Sequence, residues 1–233
     1  MGLDMHDLDS VKLNIKNDRY DYNGHSVPRV TEILAKTIHE DGIVYWANSL
    51  GFKRKGYRTT LSMCADYGTK VHSAIESIIN EEEISDDTPF IPIEAFKTWW
   101  NEINSNNSIR ILGQEFKLSC PWFGGTYDML LEINGKNYLI DFKTSNRITY
   151  KYCLQLAAYN YMLKFNNLYP ISGAIVLQLC KESPDYNELF INLEDPDHKN
   201  YFDFCEQTFL SLVYSYYHIQ YAEANFKILE AKK

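Results

Sequence analysis

The spacing of apolar positions changes along the chain. From residue 28 to about residue 106 they recur every three or four residues. Val71, Ala74, Ile75, Ile78 and Ile79 form one stripe and "PIEAFKTWWNEINSN" carries another, which predicts helices. The entry segment "KNDRYDYNGHSVPRVTEILAKTI" reads as an extended hairpin turning at Asn23-Gly24, then, past Pro28, as a short helix capped near Thr31. The stretch from His39 to Glu83 reads as mostly helical, broken near Gly51 and Gly56, with its last helix from about Tyr67 to Glu82. The period then falls to two in three strand-like runs, "SIRILGQEFKLS", "GGTYDMLLEI" and "KNYLIDFKT". Asn134-Gly135 joins the last two and is a strong hairpin signal. "TYKYCLQLAAYNYMLKF" returns to helix, "ISGAIVLQLC" is a buried strand, and "DHKNYFDFCEQTFLSLVYSYYHIQYAEANF" closes as one long helix. Helices, three strands, helix, strand, helix predict an α/β fold with a mixed central sheet flanked by helices.

Length and composition narrow this further. At 233 residues the chain suits one domain. Residues 1–66 are expected to form a hairpin and gate-like helical extension, and residues 67–233 a core ending in the C-terminal helix. With 45% apolar residues the chain is not of a disordered class. No apolar run nears the ~18 residues a membrane helix needs, and "MGLDMHDLDS" is acidic rather than a basic leader, so a cytoplasmic protein is expected. The five cysteines lie far apart without a C-x-x-C pair, so neither zinc nor a disulfide framework is indicated, and all five are expected to be buried. The net charge of −8 argues against a protein that coats nucleic acid through a basic surface. Charge is nonetheless local: Lys53, Arg54, Lys55 and Arg58 gather around Tyr57, and this cluster with Trp46 could contact a single strand by stacking and phosphate pairing. It could equally be a solvated basic helix end with a packed tyrosine.

The hairpin holds the anomaly. Asn134 and Gly135 as the central residues of a type I′ turn place Ile133 opposite Lys136, Leu131 opposite Tyr138, and Asp128 opposite Asp141. Two carboxylates then share one face roughly 4.5–5.5 Å apart, with Lys143 two residues along the same side. Both faces carry large apolar residues, so the sheet is expected to be covered on both sides, where unpaired carboxylates are costly. Either Lys143 alone offsets them as a structural ion cluster, or a divalent cation bridges them. Two carboxylates suit Mg²⁺ or Mn²⁺, which keep water ligands and complete their shell on a phosphate. His72 and Glu76 lie one helical turn apart, as do Gln155 and Tyr159. Each pair is also what an ordinary helix surface shows, and Glu115 fits an exposed strand position.

Taken in order, "GTKVHSAIE", "GQEFKL", "GGTYDMLL", "YLIDFKTS" and "LQLAAYNYML" resemble the PD-(D/E)XK nuclease superfamily, in its RecB-type and phage exonuclease branch that includes the mitochondrial genome maintenance exonuclease. The resemblance covers about Tyr67 to Cys180 and implies a restriction-endonuclease-like α-β-β-β-α-β core. It implies His72, Asp128, Asp141 and the Phe142 carbonyl as ligands of Mg²⁺ or Mn²⁺ and Lys143 as the catalytic lysine. Glu115 would hold a second metal through water, and Gln155 and Tyr159 would support Lys143 or the scissile strand. Products would carry a 5′ phosphate and a 3′ hydroxyl. The implied activity is exonucleolytic, on DNA ends or single strands, in recombination, repair or genome processing, and a phage or mobile element would be a natural source. The cysteines do not match the iron-sulfur members, so no cluster is expected, and without a P-loop the chain would need a helicase or recombination partner to open duplex. A non-cutting DNA-end-binding subunit and a structure-selective endonuclease are the competing readings.

Overall fold

The computed structural model describes residues 20–39, 41–54 and 56–230. β1 (Tyr20–Tyr22) and β2 (His25–Val27) form the expected hairpin, with Asn23 at φ 50° and Gly24 at φ 82°. Four helices follow: α1 (Val30–Thr37), α2 (Asp41–Phe52), α3 (Tyr57–Ile79) and α4 (Phe90–Asn106). Arg29, in extended backbone, precedes α1, so Thr31 lies inside that helix instead of capping it. Gly51 lies within α2, whereas the break near Gly56 is present as the boundary before α3. That helix begins at Tyr57, not near Tyr67; its first buried side chain is Val71, so the preceding turns carry no apolar stripe that would reveal them.

Strands β3 (Ile109–Ser119), β4 (Gly124–Ile133) and β5 (Lys136–Lys143) lead to α5 (Tyr150–Phe165), β6 (Gly173–Leu179), β7 (Tyr186–Asn192) and the long α6 (Pro196–Glu230). The sheet runs β3-β4-β5-β6-β7, and only β5 and β6 are parallel. Parallel neighbours need a crossover, which α5 supplies. β7 is an addition to the sequence reading. "YNELFIN" buries only Ile191, so it has no strong apolar pattern, and it forms as an edge strand because β6 offers it a complete ladder.

Both faces of the sheet are covered, as the apolar residues on both faces of β4 and β5 require. On one, Leu130, Leu139, Ala174 and Val176 meet Ile33 of α1, Leu156, Ala157 and Leu163 of α5, and Phe209 and Val213 of α6. On the other, Met129, Leu131, Ile140 and Leu177 meet Val71 and Ile75 of α3 and Phe96 and Trp99 of α4. Each such side chain contributes roughly 1.5–3 kcal/mol by leaving water. Trp99, fully buried, gives its one polar hydrogen to Glu188 Oε2 at 2.8 Å, tying α4 to β7.

The hairpin arithmetic holds. Asn134 and Gly135 take φ values of 52° and 81°, and the ladder pairs Ile133 with Lys136, Leu131 with Tyr138 and Met129 with Ile140. The ladder ends there, one step short of Asp128 and Asp141, which the same register would set opposite each other. Among the described residues no helix is long and apolar enough to cross a membrane. Cys120, Cys153 and Cys205 are buried, but Cys64 is exposed on the unpacked half of α3 and Cys180 is half-buried, against the expectation for all five.

Candidate active site

The β4–β5 ladder stops where the carboxylates begin. Asp128 Oδ2 accepts the Phe142 N–H at 2.7 Å, doing for the main chain what a strand carbonyl does elsewhere. On the other side of β4, Gln114 pairs with Met129 and Phe116 with Tyr127, which brackets Glu115 opposite Asp128. Glu115, Asp128 and Asp141 therefore form one row across three adjacent strands. Glu115 sits at φ 43°, a left-handed backbone that costs a residue with a Cβ roughly 1–2 kcal/mol. Such strain is typical of positions where a side chain is aimed rather than packed.

His72 reaches this row from α3. Its Nε2 lies 3.1 Å from the Phe142 carbonyl oxygen, and its Nδ1 lies 3.5 Å from Glu115 Oε1 and 3.5 Å from Asp128 Oδ1. Both nitrogens face acceptors, which suits an imidazolium with two N–H donors. Burial works against that charge, but Asp128 and hydrogen bonds to Asp128 and Glu115 outweigh it and push the His72 pKa up to about 10. Burial likewise opposes ionisation of Asp128, yet His72, Lys143 and the Phe142 N–H hold its carboxyl below the usual range.

Asp141 behaves in the opposite way. It is 1% exposed, and burial, relieved in part by Lys143 and reinforced by the Asp128 charge, pushes its pKa up to about 6. Lys143 Nζ lies 2.7 Å from Asp141 Oδ1 with hydrogen-bond geometry and 2.6 Å from Oδ2 without it, so the buried Oδ2 has no directed donor. Burial disfavours the Lys143 charge, but Asp141 and Asp128 more than restore it and raise its pKa. The Tyr152 ring, 5.1 Å from Nζ, covers the ammonium. Tyr152 escaped the sequence reading. Its signal was the spacing of three residues before Gln155, which puts both on one face of α5.

The expected supporting pair is also assembled. Gln155 Nε2 donates to Tyr159 Oη at 2.9 Å, and both residues are buried. Tyr159 fits against β4 because Gly125 has no side chain: a Cβ there would lie 2.5 Å from Tyr159 Cε1. Burial, then Asp141 and Asp128, keep the Tyr159 phenol protonated well above its ordinary range.

The basic cluster stands apart from this row. Lys53 and Arg54 follow α2, Tyr57 and Arg58 open α3, and Lys55 lies outside the described residues. Tyr57 packs edge-on to Trp46 at 5.6 Å and keeps 36% of its surface exposed. It precedes His72 by fifteen residues on α3, about 22 Å at 1.5 Å per residue. Both helices approach the loop that follows β5: Cβ atoms built on Gly68 of α3 and Gly42 of α2 would lie 3.7 Å from Thr144 Oγ1 and 3.9 Å from Arg147 Nη2.

His72, Glu115 and Asp128 offer ligand atoms within 4.8 Å of one another, which makes them a group able to hold a cation. Asp141 stands outside that group, with both of its oxygens against Lys143 Nζ, at 2.7 and 2.6 Å. The Phe142 carbonyl is occupied by His72. Mostly oxygen donors with one imidazole fit Mg²⁺ or Mn²⁺ better than a soft metal.

No protein-family model and no curated protein matches the chain. Among solved structures, an alkaline exonuclease (LHK-Exo) from Laribacter hongkongensis is similar over 68% of this chain and 84% of its own, with 11% identity and a TM-score of 0.35. A structure described as that of SSO0001 is similar over 78% of this chain and 83% of its own, with 14% identity and a TM-score of 0.33. At those scores the functional reading rests on the residues of the site.

Proposed function

We propose that the chain is a divalent-metal-dependent deoxyribonuclease of the PD-(D/E)XK type, acting as an exonuclease on DNA ends or single strands in recombination or repair. The observation that carries this is the row Glu115-Asp128-Asp141, closed by His72 on one side and Lys143 on the other. Once His72 is neutral, Lys143 is, among the described residues, the one cation beside two buried carboxylates and Glu115, which leaves negative charge at the row for a divalent ion to offset. Asp128, Asp141 and Glu115 would hold Mg²⁺ or Mn²⁺ together with His72, which would join them as a neutral imidazole and give up a proton as the ion binds. When bound, the ion supplies charge for phosphoryl oxygens and makes a water acidic enough to attack phosphorus.

The chain's own groups do the rest. Lys143 stays charged, spends part of its donor capacity on Asp141, and has a further N–H for a phosphate oxygen or the attacking water. Gln155 donates to Tyr159 Oη, leaving the phenolic proton available to a substrate oxygen. Trp46, Tyr57, Lys53, Arg54 and Arg58 would contact the strand farther along α2 and α3.

The test incubates purified protein with end-labelled single-stranded, duplex and circular DNA in Mg²⁺, Mn²⁺ or EDTA. Linear DNA should be degraded only with metal, and circles should survive. Cutting of circles would make the chain an endonuclease, and binding of ends without any metal-dependent cutting would make it a binding subunit.

A further inference from the structure

β6 reads "GAIVLQL" and is buried along its whole length, so Gln178 is a lone polar residue in an apolar strand, 5% exposed. Its place explains it. In the parallel register Gln178 is the partner of Lys143 across β5 and β6, and in the antiparallel register it is the partner of Asn187 on β7. Gln178 Nε2 donates to the carbonyl oxygen of Ser145, two residues beyond Lys143. Its Oε1 accepts from Asn187 Nδ2 at 3.0 Å, and the same Asn187 nitrogen lies 3.7 Å from Cys180 Sγ. A second polar row, Lys143-Gln178-Asn187, therefore runs beside the carboxylates. A buried amide of this kind is costly unless both ends are satisfied, and here both are.

We infer that Gln178, braced by Asn187, is a positioning residue for Lys143: it fixes the chain leaving β5 so that the lysine stem enters the site at a set angle. The inference rests on the nuclease reading of Lys143. β5 ends at Lys143, and the next regular element, α5, begins only at Tyr150. Within that connection Ser145 Oγ donates to the Arg147 carbonyl, a contact local to the loop. The Gln178 bond instead ties the loop to the central sheet, one residue past the Thr144 that borders Gly68 of α3.

The test uses Gln178→Met, which keeps side-chain volume but removes both hydrogen bonds, and Gln178→Glu, which keeps the acceptor for Asn187 and loses the donor. For both, kcat should fall between about tenfold and a hundredfold, the loss a slightly misplaced group brings, with KM and Mn²⁺ affinity held within about twofold. Asn187→Ala should give a smaller loss of the same kind. Hydrogen exchange, read without substrate, should quicken in residues 144–149 of Gln178→Met and stay unchanged in residues 129–140. Wild-type kcat in Gln178→Met would overturn the inference, as would a reduced kcat with unchanged exchange in that loop, because packing alone or a remote effect would then account for the residue. If the wild-type protein cuts no nucleic acid with either metal, the nuclease reading fails and with it the catalytic half of the inference. Exchange in the loop then decides the anchoring half.

Discussion

Gly125→Ala is the sharpest probe of how the site is built. The new Cβ would lie 2.5 Å from Tyr159 Cε1, 3.4 Å from Tyr159 Cδ1 and 3.3 Å from Val30 Cγ2. Carbon atoms rest about 3.5–4.0 Å apart, so the Tyr159 ring has to retreat by about 1 Å. It is buried between α5 and β4 and bonded to Gln155, so the movement disturbs a packed region. Overpacking of this size costs about 1–3 kcal/mol. For a chain of this length each kcal/mol lowers Tm by about 2–4 °C, which gives a fall of roughly 2–12 °C. Calorimetry in EDTA measures it free of metal stabilisation. The clash is with one ring, so in a Tyr159→Leu background the same glycine substitution should cost much less, a coupling that a double-mutant cycle isolates. Nuclease turnover of Gly125→Ala should fall about tenfold or more as the phenol leaves its place. A melting temperature within about 1 °C of wild type, or costs that simply add in the double mutant, would refute the packing argument.

Further outcomes follow from the same geometry. Lys143→Ala and Asp141→Ala should each reduce metal-dependent cleavage at least about a hundredfold in proteins that still fold by circular dichroism, and full activity in either would displace the site. Glu115→Gly should melt about 2–8 °C above Glu115→Ala, since glycine adopts the left-handed backbone without strain, while both lose metal affinity in titration calorimetry. In EDTA the wild-type protein should lose stability as pH rises from 6.5 through about 10, because His72 has its pKa raised by folding and its contribution is complete below its ordinary value and gone above the folded one. His72→Gln should lack that slope in pH-dependent melts. Asp128, with a depressed pKa, contributes in the opposite sense, so its share is lost as pH falls below the ordinary carboxylate range.

The sequence made the register legible because one turn determines it. Asn134-Gly135 admits few backbone geometries, and counting outward from it gives the observed pairs as far as Met129 and Ile140, the last before Asp128 and Asp141. The acids and lysine stood out for a related reason: strands covered on both sides tolerate charge only where something compensates it. Edge and surface features were harder to see. β7 forms with one buried residue, and the first turns of α3 with none, so hydrophobic period carries little signal for either. The left-handed backbone of Glu115 and the bulge in β3 between Ile111 and Gly113 are features that local propensity does not encode. Gln178 did carry a signal, one amide in an apolar strand, but its meaning required knowing that β6 lies beside β5.

The central claim is that His72, Glu115, Asp128 and Asp141 make one divalent-metal centre beside Lys143. Anomalous diffraction from crystals of the protein grown with Mn²⁺ tests it most directly. A single strong manganese peak, or two adjacent ones, should appear bounded by those side chains and be lost in crystals of Asp128→Asn. Manganese bound only elsewhere, or a site left to Lys143 and the carboxylates alone at saturating Mn²⁺, would contradict it.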